Sequence, residues 1–200
     1  FQSGFKCHLS FGADLILLNG IDIFQPFVAG LDAKEDFVKE LHRLVGRPIG
    51  INLEPVDSQA QMAGERLIIN EGRQASLATV QRAEELGVDF ICLTGNPGTG
   101  VTNQAIIDTI RVVKENFSGL LIAGKMHASG VDEPVADLEA IAQFIEAGVD
   151  IVLAPAVGSV PGFDEQDLKQ IVRLAHQKGA LVMSAIGTSQ ESADEDIVKQ

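Results

Sequence analysis

Gly87-Val88-Asp89-Phe90-Ile91-Cys92-Leu93 decides the fold. A glycine suited to end a helix is followed by an aspartate and then by a run of strand-forming apolar residues. The same phrase stands at Gly12-Ala13-Asp14-Leu15-Ile16-Leu17-Leu18 and at Gly148-Val149-Asp150-Ile151-Val152-Leu153-Ala154. A phrase repeated in this way marks one supersecondary unit used several times. Further apolar runs lie between the copies: Pro48-Ile49-Gly50-Ile51-Asn52-Leu53, Leu120-Leu121-Ile122-Ala123-Gly124 and Ala180-Leu181-Val182-Met183-Ser184. Together these make six strands. They are nearly continuously apolar rather than alternating, as expected of a parallel sheet covered by helices on both faces.

The segments between the strands carry helical signals. Asp32 with Glu35 and Ser192 with Glu195 read as capping boxes, Thr102 precedes Asn103-Gln104-Ala105, and Asp164 precedes Glu165. Leu138, Ile141, Ala142 and Ile145, and likewise Leu168, Ile171, Val172 and Ala175, place one apolar stripe on each of two helices. Six βα units can also build an open doubly wound sheet. However, the first strand-to-helix turn lacks the Gly-x-Gly-x-x-Gly fingerprint, and the units are of similar length. The fold class is therefore α/β, a (β/α)8 TIM barrel that is truncated, as one domain over residues 1–200. If residues 1–11 are the first helix, the six strands are barrel strands 2 to 7, and an eighth follows the helix that begins near Ser192.

Composition narrows the partners. The chain has 200 residues, 46% of them hydrophobic and 22% charged, which suits one globular domain with a sizeable core. A net charge of −13 opposes nucleic acid and anionic membrane, both of which are held by clustered cations. No apolar run approaches the roughly 18 residues of a membrane span, and no signal peptide is legible, so the expected location is cytoplasmic. Cys7 and Cys92 match no metal or redox spacing and read as reduced packing residues.

In a parallel barrel the chemistry lies in the loops that follow the strands. Here those loops are polar and rich in glycine. Thr94-Gly95-Asn96-Pro97-Gly98-Thr99-Gly100 leads into a helix capped by Thr102, a pattern in which backbone N–H groups take a phosphate or carboxylate. Thr94, Asn96, Gly98, Thr99 and Gly100 are thus candidate anion-binding residues, and a tight turn needing positive φ is the equally weighted structural reading. Asn19, Asn52 and Ser159 follow three other strands, and Gly187-Thr188 follows the last, where a phosphate is often held in this fold. Lys125 and His127 are two apart at a strand end, so period-two alternation points both to the barrel mouth, for proton transfer or carbonyl activation. Asp22 and Glu54 follow two different strands and suit a carboxylate base or oxygen ligands for Mg²⁺. The long segment from Val56 to Glu71 is a candidate lid, with Arg66 and Arg73 as closing cations. Asp14, Asp89 and Asp150 stand at strand starts and read as turn and cap residues without chemistry.

The repeated Gly-Ala/Val-Asp phrase, with Gly124-Lys125-Met126-His127 and Thr94 to Gly100, resembles bacterial barrel proteins labelled phosphoenolpyruvate phosphonomutase-like. That superfamily, with isocitrate lyase, implies Mg²⁺ and carbon–phosphorus or carbon–carbon bond chemistry on a small oxo-acid. Its Glu-Asp-Lys loop is absent from this sequence, so the resemblance does not bring that chemistry with it. The residues lead first to a lyase or isomerase acting on an anionic, phosphorylated metabolite, with no cofactor evident. A Mg²⁺-dependent enzyme of the phosphonomutase type and a non-catalytic metabolite-binding or assembly barrel are the alternatives, and homo-oligomers fit any of the three.

Overall fold

The glycine-aspartate pairs at Gly87-Asp89 and Gly148-Asp150 each join a helix end to a strand start and tie that strand to its neighbour. The structure, a computed structural model, describes residues 12–32 and 35–186. Gly87 and Gly148 adopt left-handed φ of 70° and 110° and end their helices by N–H donation into the last turn. Asp89 Oδ2 then accepts from the Ile49 amide at 2.6 Å, and Asp150 Oδ2 accepts from the Leu121 amide at 2.8 Å. In both cases the amide belongs to the preceding strand. The aspartates therefore do more than cap a turn: they satisfy donors left open where a parallel ladder begins.

The strands are β1 (Ile16–Leu18), β2 (Ile49–Leu53), β3 (Phe90–Leu93), β4 (Leu120–Gly124), β5 (Ile151–Pro155) and β6 (Leu181–Ala185). They form one sheet in the order β1-β2-β3-β4-β5-β6 with every pair parallel. Five helices fill the connections: α1 (Phe37–Val45), α2 (Leu77–Leu86), α3 (Asn103–Asn116), α4 (Leu138–Ala147) and α5 (Glu165–Gln177). Sequential order with a helix in each crossover gives a curled arc of six βα units, the arrangement of consecutive units in a (β/α)8 barrel.

The main core lies between the arc and its helices. Ile16, Ile51, Ile91, Leu121 and Val152 point outward from the strands into it. They meet stripes such as Ile106, Ile107, Ile110 and Val113 of α3, each contributing roughly 1.5–3 kcal/mol by leaving water. A smaller inner cluster contains Phe90, Cys92, Ile122, Met126 and Leu153. Gly50 belongs to this inner side, because a Cβ there would run into the Phe90 ring. Leu15 and Leu17, on the inner side of β1, remain 41% and 44% exposed.

Two expectations are corrected. α1 begins after Asp36, whose side chain makes no cap bond, so Asp32 and Glu35 do not form its capping box. The segment after Glu54 is not a free lid. It is an extended strap, bridged at Val56 to Val101 and at Met62 to Val131, and it closes with a single 3-10 turn at Glu71–Arg73. The proposed first helix at residues 1–11, Cys7, the Ser192 cap, Gly187 and Thr188 lie outside the described residues.

Candidate active site

Along β1 to β3 the inward series changes character at the strand ends. Leu17 is followed inward by Asn19, Gly50 by Asn52, and Cys92 by Thr94, so apolar walls rise to a polar rim. Asn96 and His127 complete that rim around a cavity of about 370 Å³. Its floor is apolar, with Phe90, Ile122, Leu153 and Met183 among the lining residues. The Asn19 amide meets those of Asn52 and Asn96 at 3.1 and 3.3 Å. The Asn52 amide is satisfied with its nitrogen turned to the Cys92 and Thr94 carbonyls at 2.7 and 3.2 Å. Thr94 Oγ1 is buried and has no hydrogen-bond partner.

Glu54 stands behind this rim, 1% exposed. Its Oε1 accepts from Arg73 Nη2 at 2.7 Å and from Asn96 Nδ2 at 2.9 Å, while Oε2 accepts from the Asn96 amide at 2.7 Å. One carboxylate thereby fixes both the backbone and the side chain of Asn96, with a guanidinium as counter-ion. Glu54 is a holding residue here; its lone pairs face Asn96 and Arg73.

In the glycine-rich loop the donors of Asn96, Thr99 and Gly100 are turned toward protein acceptors. The Thr99 amide and hydroxyl donate to the Asn96 carbonyl, and the Gly100 amide donates to the Ser129 carbonyl at 2.9 Å. Gly98 and Gly100 have φ of 78° and 77°, and a Cβ on Gly100 would meet Arg66 Nη1 at 2.5 Å. The glycines thus let the strap pass closely over the loop. Arg66 donates to the Asp57 and Ala60 carbonyls at 2.7 and 3.0 Å, which tightens the strap on itself.

The anion at the start of α3 is the protein's own. Glu133 Oε2 accepts from the Asn103 amide at 2.8 Å and from Lys125 Nζ at 2.8 Å. Thr102 Oγ1 accepts from the Ala105 amide at 3.1 Å and donates to Asp57 Oδ2 at 3.2 Å. The Lys125 side chain is fully buried and lies on the helix side of the sheet, beside Ile141 and Phe144. Alternation from Leu121 and Ala123 carries it there. The chain then bends at Met126 and His127, and His127 turns to the inner cavity. The expected pairing of Lys125 and His127 at one mouth is broken by that bend.

His127 is the ring that faces the cavity. Its Nδ1 accepts from the Ser129 amide at 3.0 Å, so the neutral ring carries its proton on Nε2. Burial and the Lys125 charge hold its pKa below the usual histidine value, opposed by the Glu54 charge. Ser129 achieves this contact at φ 55°, a left-handed conformation costing about 1–3 kcal/mol in a residue with a side chain. Gly95 leaves room for it, since a Cβ there would meet Ser129 Oγ at 2.5 Å.

The remaining candidates lie apart from the rim. Asp22 Oδ1 accepts from the Phe24 and Gln25 amides at 3.0 and 3.1 Å, closing a local turn. Ser159 Oγ donates back to the Ala156 carbonyl at 2.7 Å. Cys92 is buried in the inner cluster, which pushes its thiol up to about 12. Among the described residues no group of three or more His, Cys, Asp or Glu side chains is gathered to hold a metal. Asp22 is engaged by two backbone amides and Glu54 by the Arg73 guanidinium and Asn96. Sequence reasoning missed Ser129 and Glu133. Ser129 has a faint signal as the residue two beyond a strand-end histidine and before a glycine, while Glu133 has none.

Comparison with known proteins agrees with the architecture. The chain is similar to 3-keto-L-gulonate-6-phosphate decarboxylase from Vibrio cholerae at 12% identity and a TM-score of 0.53, covering 89% of this chain and 68% of that one. It is similar to an HpcH/HpaI aldolase from Desulfitobacterium hafniense at 13% identity and a TM-score of 0.54, covering 94% and 75%. A phosphonopyruvate hydrolase, solved with oxalate and Mg²⁺, aligns at 13% identity and a TM-score of 0.51 over 98% of this chain and 76% of that one. At such identities the likeness shows the fold, that of (β/α)8 barrels, and the structural neighbours are enzymes. No protein of curated function matches the sequence. No helix among the described residues is long and apolar enough to cross a membrane. The model of the domain of unknown function DUF7916 matches residues 5–200, and the chain belongs to that family.

Proposed function

We propose that the chain is a lyase- or isomerase-type enzyme working on a small carbonyl-bearing metabolite at the strand C-termini, with His127 as the group that polarises the carbonyl. One observation carries the reading: Ser129 spends a strained conformation to fix a neutral imidazole with Nε2–H available to the cavity side. A neutral ring donating to a carbonyl oxygen stabilises the negative charge that develops there when a neighbouring C–H or C–C bond breaks. An anionic, phosphorylated substrate is the fuller form of this proposal. Its charged end would be met by loops other than Thr94 to Gly100, with Gly187 and Thr188 as the sequence candidates. Lys125 enters through Glu133, holding the loop that carries His127. A direct Schiff-base role would instead give a borohydride-trapped adduct on Lys125.

Imidazole nitrogen spectra of the full chain test the proposal. His127 should show the Nε2–H tautomer at pH 7 and shift with at least one member of a panel of small oxo-acids and their phosphates. His127→Gln should lower turnover of that compound by about 100-fold or more. An Nδ1–H tautomer would sink the reading. A second reading, the non-catalytic metabolite-binding barrel, draws support from Glu54 and Lys125 being taken up by protein partners. It expects binding that survives both Lys125→Met and His127→Ala, with no turnover.

A further inference from the structure

We infer that His127 and Ser129 form a proton-operated latch: the neutral ring holds the turn at 128–131 closed, that turn holds the middle of the strap, and protonation of the ring releases both. The latch itself needs only the contact between these two residues; its bearing on catalysis rests on the cavity being the working site proposed above. Ser129 is buried, and its amide donates to His127 Nδ1 at 3.0 Å, with its hydroxyl 3.4 Å from the same nitrogen. It does so at φ 55°, a conformation that a residue with a side chain leaves unless something holds it there. A proton on Nδ1 turns the acceptor into a second donor facing the amide, and the bond is lost. At 3.4 Å the hydroxyl is a weak replacement acceptor.

The other bonds of the turn run to the strap and to the glycine-rich loop. The Ser129 carbonyl accepts from the Gly100 amide at 2.9 Å, the Gly130 carbonyl accepts from the Ala63 amide at 2.9 Å, and Met62 bridges to Val131. Gly130 leaves room for this contact, since a Cβ there would meet Met62 Cε at 2.8 Å. Release of the turn therefore frees Met62 and Ala63. The flanks of the strap are tied elsewhere: the Asp57 amide donates to the Gly100 carbonyl at 3.0 Å, and the Leu67 amide to the Gly98 carbonyl at 2.8 Å. Those two bonds involve neither Ser129 nor Gly130.

Burial and the Lys125 ammonium resist protonation of the ring, and the Glu54 carboxylate favours it. Lys125 is itself paired with Glu133, and Glu54 with Arg73. On the strap, Arg66 donates to the Asp57 and Ala60 carbonyls, and Asp57 Oδ2 accepts from Thr102. The cavity walls supplied by β1, β5 and β6 are uncharged, and the Cys92 thiol of β3, pushed up to about 12, stays protonated. The latch is thus fully closed above the ordinary histidine value of about 6.5 and opens as pH falls through the ring's lower pKa. A ligand carbonyl held by Nε2–H favours the same neutral tautomer, so an occupied site keeps the strap closed.

Amide hydrogen exchange of the full chain, compared at pH values on either side of the titration of the His127 imidazole resonances, tests the latch. Protection at Gly100 and Ala63, corrected for the intrinsic pH dependence of exchange, should fall by at least about tenfold as the ring protonates, while Asp57 and Leu67 keep theirs. His127→Asn, whose Oδ1 stands near the place of Nδ1 and does not titrate, should hold protection on both sides. His127→Ala should lose it on both. Ser129→Gly, which removes the strain at positive φ, should abolish most of the drop. Unchanged protection at Gly100 and Ala63 across the ring's titration, an equal fall at Leu67, or a ring that stays neutral until the chain unfolds would each overturn the latch. Those results would leave the carbonyl role of His127 standing, since it is read from the tautomer at pH 7 and from turnover. Absence of turnover with the predicted exchange pattern would remove that role and uphold the latch.

Discussion

The two ends of this barrel arc are built by different rules. At the strand starts one device recurs: a left-handed glycine, then an aspartate that reaches an amide of the preceding strand and pairs with a nearby basic side chain. Asp89 pairs with His42 at 2.6 Å and Asp150 with Lys114 at 3.2 Å. At the strand ends nothing repeats. Glu54, Asn96 and Arg73 form one cluster, Lys125, Glu133 and Asn103 a second, and Ser129 with His127 a third. Repetition serves a task every unit shares, starting a parallel ladder. Individuality at the other end is what a ligand site requires, since its groups must converge on one object.

The sharpest way to break the contrast is at Glu54. Glu54→Ala removes the partner of a guanidinium and of two Asn96 donors at once, and unfolding should lose about 3–5 kcal/mol in denaturant titration. A loss under 1 kcal/mol would mean that the rim does not depend on it. At the opposite end the cost should be smaller and equal from unit to unit. Asp89→Ala and Asp150→Ala should each cost about 1–2 kcal/mol, because each leaves one strand amide and one partly exposed basic group unpaired. Unequal losses would show that the repeated phrase hides different roles.

The same contrast explains what the sequence discloses. Six strands, their parallel order and the helices between them follow from apolar runs and from glycine-aspartate pairs that sit next to each other in the chain. The rim residues Asn19, Asn52 and Thr94 were legible too, because counting in twos from a buried strand residue places them inward. Counting in twos from Leu121 and Ala123 places Lys125 on the helix side, where it lies; His127 leaves that alternation because the chain bends at Met126 and His127, beyond the strand end at Gly124. The glycine-rich loop looked like an anion cradle because its sequence has the right donors. Which acceptors those donors meet depends on Glu54, Ser129 and Glu133, which lie about 30 to 40 residues away in three of the contacts. No local pattern announces such partners.

The smallest effect tests His127 through pH. With its folded pKa below the ordinary histidine value of about 6.5, the unfolded chain binds the proton first as pH falls. This residue's contribution is therefore fully present above about pH 6.5 and is lost as pH drops through the interval down to its folded pKa; lower still, both states are protonated and the loss stops growing. His127→Gln should flatten that part of the stability curve and leave stability near pH 8 almost unchanged. The comparison with His42 gives the control: it sits at the strand-start end beside Asp89, and His42→Gln should leave the slope due to His127 in place. If His127→Gln left the acid limb as steep as before, the ring would be more solvated than its place in the cavity wall implies.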